Sequence, residues 1–302
     1  MKLSEFPRVR EADDLSILID KQTKIVVQGI TSKYGVNQVQ KMLEYGSNVV
    51  CGVSPGKRGE SVLGVPVYDT AKEAVEKHGA NVGIVYVPAV SAKDAALELI
   101  ASGVKLIMIA SEGIPIHDTM VIRQASIENG VWVVGPNTIG LISPGKTMVG
   151  SLSHEFTRPG NIGIVTRGGT IAIELARILT EAGYGQSSII GSGGDRVLGR
   201  NPAEYLQEFE KDPETKVVVL NGEIGGGKEA ECAEVIKKMT KPVFAYILGR
   251  CAPEGKRMGH IGAIVGNEAE SFEAKRKILR EAGAIVVDTP WEITEKLKAM
   301  NV

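Results

Sequence analysis

The chain has 302 residues, 43% of them hydrophobic, enough to bury two cores of ordinary size. A formal net charge of −1 gives no reason to expect nucleic acid or an anionic membrane as partner, and no apolar run approaches the ~18 residues of a membrane span. Cys51, Cys232 and Cys251 show neither CxxC nor metal spacing, which predicts a reduced, cytoplasmic protein with no metal site of its own.

Residues 1–16, MKLSEFPRVREADDLS, are charged and hold no apolar signal core, so a polar N-terminal extension is expected there. Short β-branched runs then alternate with amphipathic segments. Strands are predicted at Lys24–Gln28, Ser47–Val53, Gly83–Val87, Lys105–Ile109 and Val131–Val134. Helices are predicted between them at Val36–Tyr45, Ala71–Lys77, Ala92–Ala101 and His117–Glu128. The strands are apolar on both faces, as in a parallel sheet covered by helices. That alternation predicts a doubly wound α/β domain over residues 17–140. Ligands of such sheets sit at the carboxyl ends of strands, so the loops there are the candidates for binding.

The first such loop, Gly29-Ile30-Thr31-Ser32-Lys33-Tyr34-Gly35, stands where a dinucleotide fold keeps its phosphate turn, but it is not GxGxxG. The second, Ser54-Pro55-Gly56-Lys57-Arg58-Gly59, has cations where an NAD site wants a carboxylate. Cations suit a phosphate on or near the ribose, so coenzyme A fits better than NAD, and NADP stays open. A solvated basic loop is the ordinary alternative. Val87-Pro88-Ala89, Ser111-Glu112-Gly113-Ile114-Pro115 and Gly135-Pro136-Asn137-Thr138 also begin where strands stop and could line the same crevice.

Periodicity fades from Leu141 to Gly160, where the domain change is expected. The α/β alternation then restarts over the remainder of 141–302. Strands are predicted at Ile162–Thr166, Ser188–Gly191, Val217–Leu220, Val243–Ile247 and Ile285–Val287. Helices are predicted at Thr170–Ala182, Pro202–Lys211, Lys228–Met239, Ala269–Ala282 and Trp291–Ala299. Arg167-Gly168-Gly169-Thr170 opens a helix directly, so its free N–H groups would make an anion site. Gly222-Glu223-Ile224-Gly225-Gly226-Gly227-Lys228 is nearly a Walker A loop, but Glu229 follows where Ser or Thr should hold Mg²⁺.

The chain's four histidines are His78, His117, His154 and His260. Only His260 lies in a glycine-rich loop, Gly255-Lys256-Arg257-Met258-Gly259-His260-Ile261-Gly262-Ala263-Ile264, whose small residues give a substrate room. A nucleophilic histidine needs an acceptor on its other ring nitrogen. Glu223 ends one predicted strand and His260 follows the next, so the two could meet. A histidine satisfied in a turn, and a glutamate at a helix N-terminus, are the ordinary alternatives.

With these residues assembled, the chain after residue 16 resembles the α subunit of succinyl-CoA synthetase. Gly255–Ile264 looks like that family's histidine loop, Gly222–Gly226 like the segment whose glutamate contacts the histidine, and Pro55-Gly56-Lys57 and Glu112-Gly113-Ile114-Pro115 like CoA-pocket segments. The resemblance implies a Rossmann-like CoA-binding domain followed by a flavodoxin-like ligase domain. It implies His260 as phosphohistidine and Glu223 as its partner. Arg167, Gly168, Gly169, Thr170 and Arg196 would face phosphate and acid. Thr31, Ser32, Lys33, Tyr34, Pro55, Lys57, Val87, Pro88, Ala110, Ser111, Glu112 and Asn137 would hold CoA; Thr31, Lys57 and Glu112 among them keep the family's usual identity. ATP, CoA and a small carboxylic acid are the implied substrates. A β subunit with an ATP-grasp domain, in an αβ or α₂β₂ assembly, would supply nucleotide and Mg²⁺.

Departures from the family pattern bear on the acid. GPNCPG reads Gly135-Pro136-Asn137-Thr138-Ile139-Gly140, SRSGTLTYE reads Thr166–Glu174 with Gly168 and Ile173 for the serine and tyrosine, and GIGGDP ends in Arg196. Threonine in the first loop and arginine after GGD look like ATP-citrate lyase and the small subunit of citryl-CoA synthetase. Arg196 would add a cation with a carboxylate-matching fork. Citrate is therefore the expected acid, with succinate and malate open. Two readings use other chemistry: a CoA-sensing module that needs no histidine, and a P-loop ATPase built on Lys228.

Overall fold

In the computed structural model residues 17–253 and 255–300 are described; the expected polar extension at 1–16 lies outside them. The first sheet grows from Ile25–Gln28 (β1), which is buried on both faces. In chain order follow Lys33–Tyr45 (α1), Val49–Val53 (β2), Ser61–Val62 (β3), Val65–Tyr68 (β4), Ala71–His78 (α2) and Val82–Val85 (β5). Ala89–Ala101 (α3), Leu106–Ile109 (β6), Ile116–Glu128 (α4) and Trp132–Val134 (β7) complete the layer. The strand order is β3-β4-β2-β1-β5-β6-β7, parallel except for the β3–β4 pair. Without β3 this is the dinucleotide-fold order, whose switch point lies between β1 and β5.

Strand alternation divides the apolar side chains between two layers. Val26, Cys51, Val85, Ile107 and Val133 pack with α2, α3 and α4 residues in one cluster. Ile25, Val27, Ile84, Leu106 and Met108 face the other way, into a cluster continuous with the second sheet's core. Each fully buried side chain of this size contributes about 1.5–3 kcal/mol.

The β3–β4 hairpin is absent from the sequence expectation. It turns at Leu63 and Gly64, and Pro66 within β4 argues against a strand until the edge position is known. Helix α1 begins three residues before its predicted start at Val36, because the Ser32 side chain accepts from Gly35 N–H and caps it.

The second sheet begins with a hairpin, Gly140–Ser143 (β8) and Thr147–Gly150 (β9), where the sequence shows no periodicity. Both strands are buried on both faces, so no polar alternation marks them. Then come Pro159–Thr166 (β10), Gly169–Glu181 (α5), Gln186–Gly191 (β11), Pro202–Lys211 (α6), Val217–Glu223 (β12) and Lys228–Ile236 (α7). Val243–Leu248 (β13), Phe272–Glu281 (α8), Ile285–Val287 (β14) and Trp291–Ala299 (α9) close it. The order is β14-β13-β12-β10-β11-β8-β9, a flavodoxin-type parallel set extended at β11 by the antiparallel hairpin. Helix α7 stops at Ile236 and continues to Met239 only as tighter turns. Helix α8 starts at Phe272 rather than Ala269, since the Ser271 hydroxyl caps it by accepting from Ala274 N–H.

The hairpin joins the halves. The Ser47 hydroxyl donates to Met148 O at 2.8 Å and accepts from Met148 N–H at 3.0 Å, both buried. Arg123 donates to the carbonyls of Leu198 (2.9 Å) and Gly199 (2.6 Å), and Arg200 to Val131 O (3.1 Å). Among the described residues no helix is long and apolar enough to cross a membrane.

Candidate active site

In the second sheet the connections run in opposite directions from β10, so its crevice opens between β10 and β12. Glu223 is the last residue of β12, Arg167 follows β10, and His260 enters from the long connection between β13 and α8. The structure brings His260 Nδ1 to 2.7 Å from Glu223 Oε2. The carboxylate's other oxygen stands 2.9 Å from Arg167 Nη1. Arg167 and Glu223 are buried, at 3% and 6% exposure, while the histidine side chain keeps 28%. One edge of the imidazole therefore reaches solvent while its other nitrogen is held from below.

The ring's floor is backbone. A Cβ added at Gly194 would lie 2.6 Å from His260 Cδ2 and 3.0 Å from Nε2, so glycine alone lets the ring in. At Gly168 the same atom would lie 3.4 Å from His260 Cε1, in ordinary contact. Gly168 is also the N-cap of α5, and no side chain caps that helix. An anion on Nε2 would stand beside unpaired helix N–H groups, which favour negative charge.

The run resembling a Walker A loop serves the interior instead. Lys228 donates to Arg196 O at 2.8 Å and Asp195 O at 3.3 Å. Burial, and then the Arg167 guanidinium, push its ammonium down to about 8. Glu229 pairs with buried Lys275 and accepts from Glu223 N–H at 3.2 Å. Lys275 also donates to the carbonyls of Glu223 (2.7 Å) and Gly225 (2.6 Å). The P-loop reading on Lys228 is thereby corrected: the lysine and the following carboxylate are spent on clamping Glu223 and the 195–196 turn.

The two halves meet beside the histidine. Asn137, with φ 57°, donates to Asp195 Oδ1 at 3.1 Å, and its carbonyl accepts from Gly194 N–H at 3.0 Å. Its own N–H donates to Ser111 O at 3.0 Å. Burial raises the Asp195 carboxyl above its usual range; hydrogen bonds from Asn137 and Gly113 N–H oppose this, and Glu112 adds to it.

The residues expected around CoA share one rim, at the carboxyl ends of β1, β2, β5, β6 and β7. Gly29, with φ +75°, lets the chain leave β1 against β5's loop, where a Cβ would meet Tyr86 O at 2.5 Å. The Thr31 hydroxyl donates to Ser54 Oγ at 2.9 Å. Ser32 caps α1, and Lys33 and Tyr34 lie in its first turn, Tyr34 edge-on to Tyr86 at 5.2 Å between centroids. Pro55 and Pro88 are exposed, Val87 and Ala110 half-buried, and the Ser111 hydroxyl donates to Val87 O at 2.5 Å. Lys57 and Arg58 are not free cations: they pair with Glu60 (2.9 Å) and Glu73 (2.6 Å). Such exposed pairs hold weakly and leave the cations open to exchange for a phosphate. Glu112 is exposed at the same rim.

Three expectations change. Arg167, expected toward the acid, is turned inward onto Glu223. Arg196 makes no hydrogen bond or ion pair with His260, Glu223 or Arg167; its exposed side chain lines a cavity of about 530 Å³ with Arg123, Asn201 and Lys228. Thr138 is occupied, donating to Gly191 O at 2.5 Å and accepting from Gly140 N–H at 2.9 Å, and Ile173 packs on the core. Thr170 is exposed and Gly169 half-buried in the first turn of α5. Lys275, Asp195 and the role of Arg167 gave no sequence signal beyond a charged residue beside a glycine run. Of the other histidines, His78 bonds Tyr68 Oη at 2.8 Å, His154 packs at a tilt against Tyr45, and His117 is exposed.

Residues 20–113 match the CoA binding domain family and residues 165–285 the CoA-ligase family. The chain is 48% identical to the ADP-forming succinate–CoA ligase subunit alpha 2 of Archaeoglobus fulgidus, over 93% of this chain and 98% of that protein. It is 44% identical to the malate–CoA ligase subunit alpha of Methylorubrum extorquens, over 91% and 95%. Among solved structures it is similar to Methanosaeta concilii ATP citrate lyase in complex with (3S)-citryl-CoA, with a TM-score of 0.88 and 25% identity. That likeness covers 95% of this chain but about half, 51%, of the lyase.

Proposed function

We propose that this chain, which belongs to the succinate–CoA ligase α-subunit family, is the CoA-binding, phosphohistidine-carrying subunit of a nucleoside-diphosphate-forming acid–CoA ligase. The observation that carries the reading is the hydrogen bond between His260 Nδ1 and Glu223, which leaves Nε2 bare beside Gly168 and the start of α5. We divide the chain into a CoA-binding part, 17–140, and a ligase part, 141–302.

Nε2 of His260 attacks the γ-phosphorus of ATP, the bond to the β-phosphate oxygen breaks, and the diphosphate leaves. The imidazole gains positive charge as the N–P bond forms, and the Glu223 carboxylate on Nδ1–H stabilises it. A carboxylate oxygen of the acid then takes the phosphoryl group, giving an acyl phosphate. The CoA thiolate, delivered from the rim of the first sheet, attacks the acyl carbon and displaces phosphate. The α5 N-terminus stabilises the travelling phosphoryl charge. A covalent carrier is needed because ATP and acid bind apart, and the loop holding His260 moves between them.

ATP and Mg²⁺ come from a β-type partner with an ATP-grasp domain. Support lies in the relatives' names as alpha subunits, and in the engagement of Lys228 and Glu229 with this chain's own interior. For the acid we assign succinate first, on the relatives at 48% identity. Citrate is the second reading, favoured by Arg196 on the cavity wall; Thr138 no longer speaks for it, since its hydroxyl is used internally.

The test is reconstitution with a β-type partner. Intact mass after ATP should show one acid-labile phosphate on His260, and CoA-dependent diphosphate release should be compared for succinate, citrate and malate. Absence of phosphate in a complex whose partner binds ATP would end the reading. A clear preference for citrate would replace succinate.

A further inference from the structure

Arg167 is the member of the site whose position the loop sequence least suggests. Its side chain is 2% exposed. Beyond Glu223, its Nη2 reaches the carbonyls of Gly194 and Asp195 at 3.5 Å each. A guanidinium buried this deeply against a carboxylate cannot swing out to a substrate without leaving that carboxylate unpaired.

We infer that Arg167 is a positioning residue for His260: its charge beside Glu223 holds the carboxylate against the ring, so that Glu223 selects the histidine tautomer with a bare Nε2. The two carboxylate oxygens are divided, one to Arg167 and one to the imidazole. An ionised carboxylate only accepts, so Nδ1 must carry the hydrogen and Nε2 keeps its lone pair. A buried carboxyl deprived of its cation takes up a proton. Its O–H would then donate to Nδ1, the ring hydrogen would sit on Nε2, and the nucleophile would be lost.

The neighbouring cations cannot substitute. Lys275 is engaged by Glu229 and the carbonyls of Glu223 and Gly225. Lys228 is engaged by the carbonyls of Asp195 and Arg196. Among the described residues, Arg167 is the one Lys or Arg paired with the Glu223 carboxylate. Its contacts to residues 194 and 195 also steady the glycine on which the ring lies. One buried side chain thus governs both the ring's hydrogen-bond acceptor and its floor.

The kinetic half of this inference rests on the phosphohistidine reading; the tautomer half does not. The experiment uses the full chain, labelled with ¹⁵N-histidine, with and without its partner. The side-chain ¹⁵N shifts of His260 tell a hydrogen-bearing nitrogen from a bare one. In the wild type Nδ1 should bear the hydrogen. In Arg167→Gln the hydrogen should move to Nε2, and phosphorylation in the complex should slow by about 10- to 100-fold, the range by which loss of a group orienting a histidine from behind lowers activity at metal sites. Unchanged CoA affinity would show the effect to be local. Arg167→Lys keeps the charge, so it should keep the wild-type tautomer with a smaller loss of rate; it carries the test if the glutamine variant does not fold. A wild-type tautomer with an undiminished phosphorylation rate in Arg167→Gln overturns the inference, as does a flipped tautomer in folded Arg167→Lys. If the tautomer behaves as expected but wild-type His260 never takes phosphate, the function reading fails and the positioning role stands.

Discussion

Replacing Gly194 by alanine isolates the ring's placement from everything else in the site. The added Cβ would lie 2.6 Å from His260 Cδ2, 2.7 Å from Cγ and 3.0 Å from Nε2. Non-bonded carbons rest about 3.5–4.0 Å apart, so the imidazole must retreat by about 1 Å. It cannot do so freely, because Nδ1 is tied to a carboxylate that is itself tied to Arg167. A misplacement of about 1 Å costs about 10²-fold in rate, equivalent to about 2.7 kcal/mol of barrier. Gly194 does not have a left-handed φ, so alanine strains no backbone there. The variant should therefore fold, melt and bind CoA like the wild type. The assay is the quenched-flow rate of acid-labile phosphate appearing on the chain with partner and ATP. Gly227→Ala is the control, since a Cβ there meets nothing within 4 Å and its φ of −107° is not left-handed, so the rate should change little. Equal rates for Gly194→Ala and wild type would refute the reasoning, as would an equal loss in the control.

Three further outcomes follow from the site's buried charges and its rim. Glu229→Gln leaves the Lys275 ammonium buried without its carboxylate, so unfolding in denaturant should show a loss of about 3–5 kcal/mol. Burial, and then the Arg167 guanidinium, hold the Lys228 ammonium down to about 8 in the folded chain, against about 10.4 for an ordinary lysine, so between those pH values the unfolded chain holds a proton that the folded chain has released. Stability should rise with pH across that window by up to about 3 kcal/mol from this group, and denaturation of wild type against Lys228→Met at both ends of the window should show the difference; parallel curves would count against it. Lys57→Ala should weaken CoA binding in calorimetry by about threefold to tenfold, an exposed charge contributing little more, while leaving histidine phosphorylation intact.

The chain's own periodicities carried much of the fold. Pro202–Lys211 and Trp291–Ala299 have the ends their patterns predict, because a capping box and prolines mark their starts locally, and the short β-branched run Ile285–Val287 is bounded as expected. The two hairpins are hidden for different reasons. Strands Gly140–Ser143 and Thr147–Gly150 are buried on both faces and show no alternation, while Val65–Tyr68 alternates in burial but holds a proline that argues against a strand. The start of α1 is hidden in the sequence because a serine cap looks the same as a loop serine until its hydrogen bond is seen.

What the sequence determined by itself is the chemistry on offer: a histidine in a glycine loop, a carboxylate ending a buried strand, a glycine pair opening a helix, and a rim of polar strand-end loops. These are properties of residue type and local order. What only the tertiary structure decided is which charges face substrate and which face each other. Arg167 reads from the sequence as facing phosphate and acid, and Lys228 as the lysine of an incomplete P-loop, yet the fold turns one onto Glu223 and the other onto two carbonyls. Side-chain direction at a strand end depends on which loops pack above it, and those loops come from residues 194–196, 223–229 and 260–264, far apart in the chain. A buried charge must be paired where it lies, so the partner, not the motif, sets its role.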